Sequence, residues 1–442
     1  MSRRPRNQRK KARSRSLPPG RSVTRRRRER ATDSTFVDNL SLPVHRWFRY
    51  SAGFAAEWAR DLIERQRNAG RRRVLDPFAG SGTVLLSAER CGVEAVGVEA
   101  HPFVVRIARA KLGWRESPAV FRDYALDVLE RARERDPGDC SRYPSLIERC
   151  FPAGTLARLD ALRSAWRAAA RACSASDLTW LALVGILREC SPVGTAQWQY
   201  VLPNKLKARP LDPFEAFRAK VTAFYQDMVD RQAERLGPAS IVHWDDARTC
   251  RSVGDEWADL VITSPPYANN FDYADATRLE MSFFGEIAGW GDLQESVRRH
   301  LVRACTQHVA GLTDETFAVL EDPILYPIAS HIRPVCERLA AERDQHGGKK
   351  PYHTMIATYF QDMARTWRAL RRVTKPGCLI CCVIGDSAPY GIHVPVEQWL
   401  GLLALAAGFR AVSFEQTRHR NVKWKNRKHR VPLHEGRLWI EG

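Results

Sequence analysis

Arg73-Val74-Leu75-Asp76-Pro77-Phe78-Ala79-Gly80-Ser81-Gly82-Thr83 decides the fold. Arg73 to Asp76 has the apolar centre of a short buried strand, and Val84 to Arg90 reads as the helix beyond the turn. The two glycines permit a tight turn with close backbone approach, and the helix amino terminus offers free N–H donors to a polar ligand. The turn is not a dinucleotide fingerprint, since no third glycine follows at the required spacing. Nor is it a P-loop, since no Lys-Ser or Lys-Thr pair follows. A second strand, Ala95-Val96-Gly97-Val98, ends in Glu99, where a carboxylate can bridge ribose hydroxyls as in nucleotide-binding α/β folds. A plain strand–turn–helix explains the glycines but leaves two carboxylates at successive strand ends as coincidence.

A second stretch carries chemistry. Ala258 to Thr263 is an apolar run with the character of a buried strand, closed by Ser264-Pro265-Pro266-Tyr267. Two prolines cannot continue a sheet, so the chain leaves the strand rigidly extended at its carboxyl end. That places a hydroxyl, a backbone carbonyl and an aromatic ring at the mouth of the sheet, where open α/β folds bind ligands. A planar nucleobase with an exocyclic amine suits this set, because the ring stacks while two oxygens accept from the amine. A proline-kinked loop around a buried tyrosine is the alternative.

Together these stretches resemble the amino-directed DNA methyltransferases, which use S-adenosylmethionine (SAM) to methylate cytosine N4 or adenine N6. DPFAGSGT (76–83) is similar to the family's SAM loop, which implies cofactor contacts by Asp76, Pro77, Phe78, Ala79, Gly80, Ser81, Gly82 and Thr83. VGVEAHP (96–102) resembles the motif whose acid, here Glu99, holds the ribose. WDDAR (244–248) resembles the one that would bring Asp246 to the adenine of SAM. TSPPY (263–267) is similar to the catalytic motif, implying roles for Ser264, Pro265, Pro266 and Tyr267, and its leading serine is the form usual in the cytosine-N4 branch. VHRWFRYSAGF (44–54) resembles the remaining SAM-pocket motif, implying Ser51 and Phe54. No Pro-Cys dipeptide occurs, which removes the nucleophile loop of cytosine-C5 methyltransferases. The matched motifs cover about a quarter of the chain, an extent read as hypothesis in the usual way.

Composition agrees with a nucleic-acid enzyme. The 442 residues carry a formal charge of +20, most of it in residues 1–32, where fourteen Lys or Arg face Glu29 alone. Such a tail cannot bury enough apolar surface to fold, and phosphate attraction through counterion release is its functional reading. No apolar run approaches the roughly 20 residues that span a bilayer, and no secretory signal is visible. Eleven cysteines are scattered without paired metal-ligand spacing, and Cys378, Cys381 and Cys382 sit in an apolar strand pattern, CLICCVIG. They read as reduced core thiols of a cytoplasmic protein, with no metal and no membrane expected.

The fold expected is a Rossmann-like α/β domain: the seven-stranded SAM-methyltransferase sheet with helical insertions and a disordered basic tail. The divisions are 1–35, the tail; 36–114, the SAM-binding part; 115–236, a helical insertion and candidate for target recognition; and 237–442, the catalytic part with a helical insertion at about 272–350. The loop 191–205 (SPVGTAQWQYVLPNK) interleaves Trp198, Tyr200 and Lys205, a set suited either to clamping DNA or to core packing. A long amphipathic helix, Met355 to Arg371, ends at Lys375-Pro376-Gly377, and a final hairpin pairs 409–415 with 437–441 around a basic loop, Arg418 to Arg430. Because the long insertion precedes the third motif, unlike the common family layouts, recognition could sit in 115–236, in 272–350, or in both.

The expected reaction is methyl transfer from SAM to cytosine N4 in a specific DNA sequence, in restriction–modification or DNA defence with a restriction endonuclease as possible partner. Ser264 Oγ and the Pro265 carbonyl would accept the amine protons, and Tyr267 would stack on the extruded base, where stacking returns roughly 1–3 kcal/mol. Phe271 and Tyr273 are secondary stacking candidates, while Asn269 and Asn270 are either polar contacts or turn residues. Adenine-N6 methylation, RNA or tRNA base methylation, and a non-catalytic DNA-binding protein are the alternatives.

Overall fold

Ala258–Thr263 forms a strand because its side chains fill both faces of a pleat in alternation. Leu260 and Ile262 pack with Val74, Cys381 and Val383 beneath the helices Ala56–Asn68 and Thr83–Cys91. Val261 turns the other way, joining Leu75, Ile380 and Cys382 under Tyr352–Val373 and Val396–Ala406. The computed structural model describes residues 36–50, 53–135, 142–196, 200–206, 209–234, 237–420 and 432–442. The tail 1–35, Ser51, Trp198 and positions 421–430 of the basic loop lie outside the described residues.

The strands are β1 (Arg73–Asp76), β2 (Glu94–Glu99), β3 (Val193–Thr195), β4 (Val201–Leu206), β5 (Ile241–Trp244), β6 (Ala258–Thr263), β7 (Thr374–Gly385), β8 (Ala411–Arg420) and β9 (Leu433–Glu441). Seven of them make one sheet in the order β5-β2-β1-β6-β7-β9-β8. β1 pairs in parallel with β2 and β6, β2 with β5, and β6 with β7. β9 runs antiparallel between β7 and β8. This is the Rossmann-like methyltransferase sheet expected from the sequence, with helices on both faces. The strand order reverses between β1 and β6, and a doubly wound sheet opens its ligand crevice at that point.

Two local expectations change. Lys375-Pro376-Gly377 does not lie beyond a helix end as a loop; it opens β7, where the register slips between Ala258↔Thr374 and Leu260↔Leu379. A proline is tolerated in a strand at such an irregularity. The loop read at 191–205 contains the antiparallel pair β3–β4, a separate two-stranded ribbon. Its second strand holds Pro203 and lacks clean alternation, so periodicity did not disclose it. The cysteines follow the core reading: Cys378, Cys381 and Cys382 are buried, and no described cysteine forms a disulfide. Among the described residues, no helix is long and apolar enough to cross a membrane.

Helices Pro118–Arg133, Ala153–Ala169, Ser174–Cys190 and Pro213–Gln232 build a further apolar cluster beside the sheet. The 44–47 turn is held to it by one buried carboxylate. Asp227 accepts from Val44 N at 3.1 Å, Arg46 Nε at 3.0 Å and Trp47 Nε1 at 2.8 Å, and Trp47 stacks on Phe224 with ring centres 4.2 Å apart. Removing the acceptor would leave two buried donors unpaired, each costing about 1–3 kcal/mol. Asp227→Ala should therefore lower the urea unfolding midpoint clearly; an unchanged midpoint would show that the turn is not anchored there.

Candidate active site

The first strand end creates the site because its loop is folded back onto the second. Gly82 takes φ +86° and Gly80 φ +52°, values that a residue with Cβ adopts only with strain, so the chain reverses directly into helix Thr83–Cys91. Asp76 Oδ1 accepts from Phe78 N at 3.1 Å and from Thr263 Oγ1 at 2.7 Å. The second bond ties the β1 loop to the end of β6, one residue before Ser264. Glu99 spans the next gap: Oε2 accepts from Gly80 N and Oε1 from His101 N, both at 2.8 Å.

A cavity of about 810 Å³, counting the open space at its mouth, lies over these strand ends. Phe54, Asp76, Pro77, Phe78, Ala79, Gly80, Ser81, Thr83, Glu99, Asp246, Ser264 and Pro266 all line it. Three residues singled out from sequence are not on its wall: Gly82 caps the helix, Pro265 is buried, and Tyr267 leans the other way. The Tyr267 ring lies 5.3 Å from the Arg420 guanidinium carbon, and the pair meets over Gly385. A Cβ at Gly385 would come within 2.7 Å of Arg420 Nη1 and 3.2 Å of Tyr267 Cε2.

Ser264 Oγ donates to the Val383 carbonyl at 3.2 Å, which spends its proton and leaves its lone pairs as acceptors. Asn269 and Asn270 brace the loop as turn residues. Asn269 Oδ1 accepts from Phe271 N at 3.2 Å, and Asn270, at φ 65°, accepts from Thr306 N and Oγ1 at 2.8 Å each. Of the secondary aromatics, Tyr273 reaches the cavity, whereas Phe271 is packed against Tyr273 and Tyr200. Tyr200 thereby packs inward, and its hydroxyl accepts from Asp272 N at 2.7 Å. Asp246 carries a partner that the sequence did not suggest: Arg248 Nε lies 2.9 Å from each of its carboxylate oxygens.

Other wall residues came without a readable signal. Tyr50 and Gly53 belong to the VHRWFRYSAGF stretch, and a Cβ on Gly80 would approach Tyr50 Cε1 to 3.1 Å. His300, Leu301 and Val302 arrive from the helical region after the Ser264–Tyr267 corner, where nothing in their spacing marks them. His101 holds the first turn of helix Pro102–Leu112, accepting at Nδ1 from Phe103 N at 3.2 Å. Burial pushes its pKa down to about 3, so it stays neutral.

Electrostatically the cavity is unsettled. Burial pushes both Asp76 and Glu99 up to about 7, against the backbone and hydroxyl donors that favour their ionised forms. Glu99 also raises Asp76 through its charge. A ligand offering hydroxyl or ammonium donors would restore both charges.

Relatives give the site its class. No protein-family profile matches the chain. Type II methyltransferase M.BsoBI of Geobacillus stearothermophilus is 24% identical over 437 residues, covering 87% of this chain and 82% of that protein. Type II methyltransferase M.AvaI of a Nostoc strain is 24% identical over 405 residues, covering 85% and 81%. Type II methyltransferase M.MvaI of Kocuria varians is 21% identical over 377 residues, covering 80% and 79%. The fold and site define a methyltransferase domain of the Rossmann-like class. The chain resembles the amino-directed DNA methyltransferases, and the relatives that it matches over about four fifths of their length are Type II methyltransferases.

The two raised carboxyls give a signed prediction. Both groups keep a proton in the folded chain up to about pH 7 but lose it near their ordinary values, 3.8 and 4.5, when unfolded. Folding therefore takes up protons between these limits, and their contribution to stability falls as pH rises from about 4 to 7, then levels off. Glu99→Gln removes one such group. Its melting temperature should drop less than that of the parent chain between pH 5 and pH 8; parallel profiles would refute the buried-carboxyl reading.

Proposed function

We propose that this protein transfers a methyl group from SAM to the exocyclic N4 amine of cytosine in a specific DNA sequence. The observation that carries the reading is the meeting of the Asp76–Thr83 loop and the Ser264–Pro266 corner in one cavity. SAM suits the residues present. Asp76 and Glu99 are acceptors for its ammonium and ribose hydroxyls, the glycine turn admits it closely, and Phe54 and Phe78 offer apolar wall. When bound, SAM supplies a methyl group activated on a sulfonium. Asp246, oriented by Arg248, is the acceptor assigned to the adenine amine.

The chain's own contribution is orientation and polarisation. Ser264 Oγ, its proton engaged by the Val383 carbonyl, is an acceptor for one proton of the target amine, and the Pro265 carbonyl is assigned the second. Holding the amine by both protons localises its lone pair towards the methyl group, and catalysis of this kind works through preorganised polar groups. Pro266 fixes the corner, and Tyr267 is the ring on which an extruded base stacks. Removing a single preorganised polar contact costs about 100- to 1,000-fold in turnover in comparable sites.

The residues at 115–236 are assigned to target recognition, supported by their size and by basic positions such as Lys205 on the β3–β4 ribbon. The tail at 1–35 is assigned to phosphate attraction, which positions without reading sequence. A cognate restriction endonuclease is the expected partner in the cell, by analogy with enzymes named Type II.

Ser264→Ala should cut methyl transfer by about 100-fold or more while SAM affinity stays within a factor of about two. Mass spectrometry of digested DNA should yield N4-methylcytosine. N6-methyladenine as sole product would overturn the cytosine reading but keep the amine chemistry, whereas methylated RNA alone would overturn the DNA assignment. For the cofactor site, Glu99→Ala should weaken SAM binding by about ten- to a hundredfold in calorimetry, the worth of a charge-assisted hydrogen bond. Unchanged binding by a folded Glu99→Ala chain would remove Glu99 from the site.

A further inference from the structure

At the carboxyl end of β7, acidic and imidazole groups converge from parts of the chain far apart in sequence. Asp386 directly follows β7, Glu397 stands in the first turn of helix Val396–Ala406, and His434 is on β9. One ligand-capable atom from each lies within 4.8 Å of the others. His434 Nδ1 is 2.8 Å and His393 Nε2 3.2 Å from Asp386 Oδ2, and His434 Nε2 is 3.6 Å from Glu397 Oε1.

What these contacts leave over points to a ligand. The Asp386 side chain is wholly buried, yet among the described residues no N–H or O–H donor reaches its Oδ1 or the buried Glu397 Oε2, and the two carboxyls face each other. The nearby guanidinium does not relieve them: Arg420 Nη1 donates to the Asp386 backbone carbonyl at 2.8 Å, and Arg418 pairs with Glu435. An ionised carboxylate oxygen buried without a donor is costly, so the group needs either a shared proton or a cation. Three atoms separated by at most 4.8 Å surround a point no more than about 2.8 Å from each. Metal–ligand distances for nitrogen and oxygen donors are about 2.0–2.2 Å, a difference that small side-chain rotations close. The donor set, two carboxylates with imidazole, suits zinc. His393 lies outside that three-atom cluster, but its Nε2 touches Asp386 Oδ2 and, with 41% of its side chain exposed, it has room to turn in as a fourth ligand from the side open to entry.

We propose that Asp386, Glu397 and His434, completed by His393, form a structural zinc site that pins β9 and helix Val396–Ala406 to the end of β7. It stands one residue from Gly385, where Arg420 meets Tyr267, so the ion would stiffen the backing of the catalytic loop without touching the reacting groups. The sequence carries no metal-ligand spacing for this set, because these ligands are assembled only by the fold. The site stands independently of the methyl-transfer reading, since metal content is measured without turnover.

The test uses the full chain purified without metal-affinity chromatography. Elemental analysis should find about one zinc per chain. After stripping with chelator, zinc chloride should rebind in calorimetry and raise the melting temperature. Asp386→Asn and His434→Gln should each hold less than about a tenth of the parent's zinc, and chelator should no longer shift their melting. Glu397→Gln separates the rival reading. If the two carboxyls merely share a proton, the amide replaces it, the variant melts at or above the parent temperature, and the parent neither carries nor rebinds zinc. That outcome would overturn the proposal; a Glu397→Gln chain that folds but binds zinc at least tenfold more weakly than the parent would support it.

Discussion

The 2.7 Å hydrogen bond from Thr263 Oγ1 to Asp76 Oδ1 is the contact on which the site depends. It bridges β1 and β6, the neighbouring strands between which the sheet reverses its order. Each strand end alone would offer only a generic turn. Joined, they fix the separation between the glycine loop and the serine–proline corner, so the two halves of one cavity have a single relative position. The bond is buried, where loss of either partner strands a polar atom without water to replace it. Glu99 extends the same device to β2 by holding Gly80 N and His101 N together.

These two carboxyls also set the kind of ligand that the cavity favours. Burial outweighs the donors that each already has and pushes both up to about 7. A site of this kind gains most from a ligand that carries its own donors, because binding then supplies what burial withholds. Selectivity follows from the same arithmetic: a molecule that fills the space but lacks donors adds burial without adding to the few donors the acids already have.

The parts of the fold legible in the sequence share a cause. β1, β2, β6 and β7 are covered on both faces and read as near-continuous apolar runs, bounded by glycine and proline where the chain must turn. The strand-end acids were legible because a carboxylate closing an apolar strand has few structural uses. What escaped notice depends on distant partners. β3–β4 is a ribbon with little buried surface, so hydrophobic period gave no sign of it. Tyr50 was passed over within a stretch already noticed, and His300 to Val302 reach the cavity only through the path of the chain after Tyr273. Asp227 looks like any acid on an amphipathic helix until the 44–47 turn folds onto it.

The antiparallel placement of β9 has a consequence for the serine–proline corner. Because β9 lies between β7 and β8, the mouth of the sheet is closed by a hairpin whose two arms bring Glu435 and Arg420 over the end of β7. Arg420 is held by the Asp386 carbonyl and faces Glu435, so its guanidinium is a fixed plate rather than a mobile cation. Tyr267 rests against that plate, and only a residue without Cβ at 385 lets the two meet. The prolines make the corner rigid along the chain, while the hairpin makes it rigid across the sheet. The Tyr267 ring is thereby supported on its far side by a hairpin that follows the rest of the sheet in sequence.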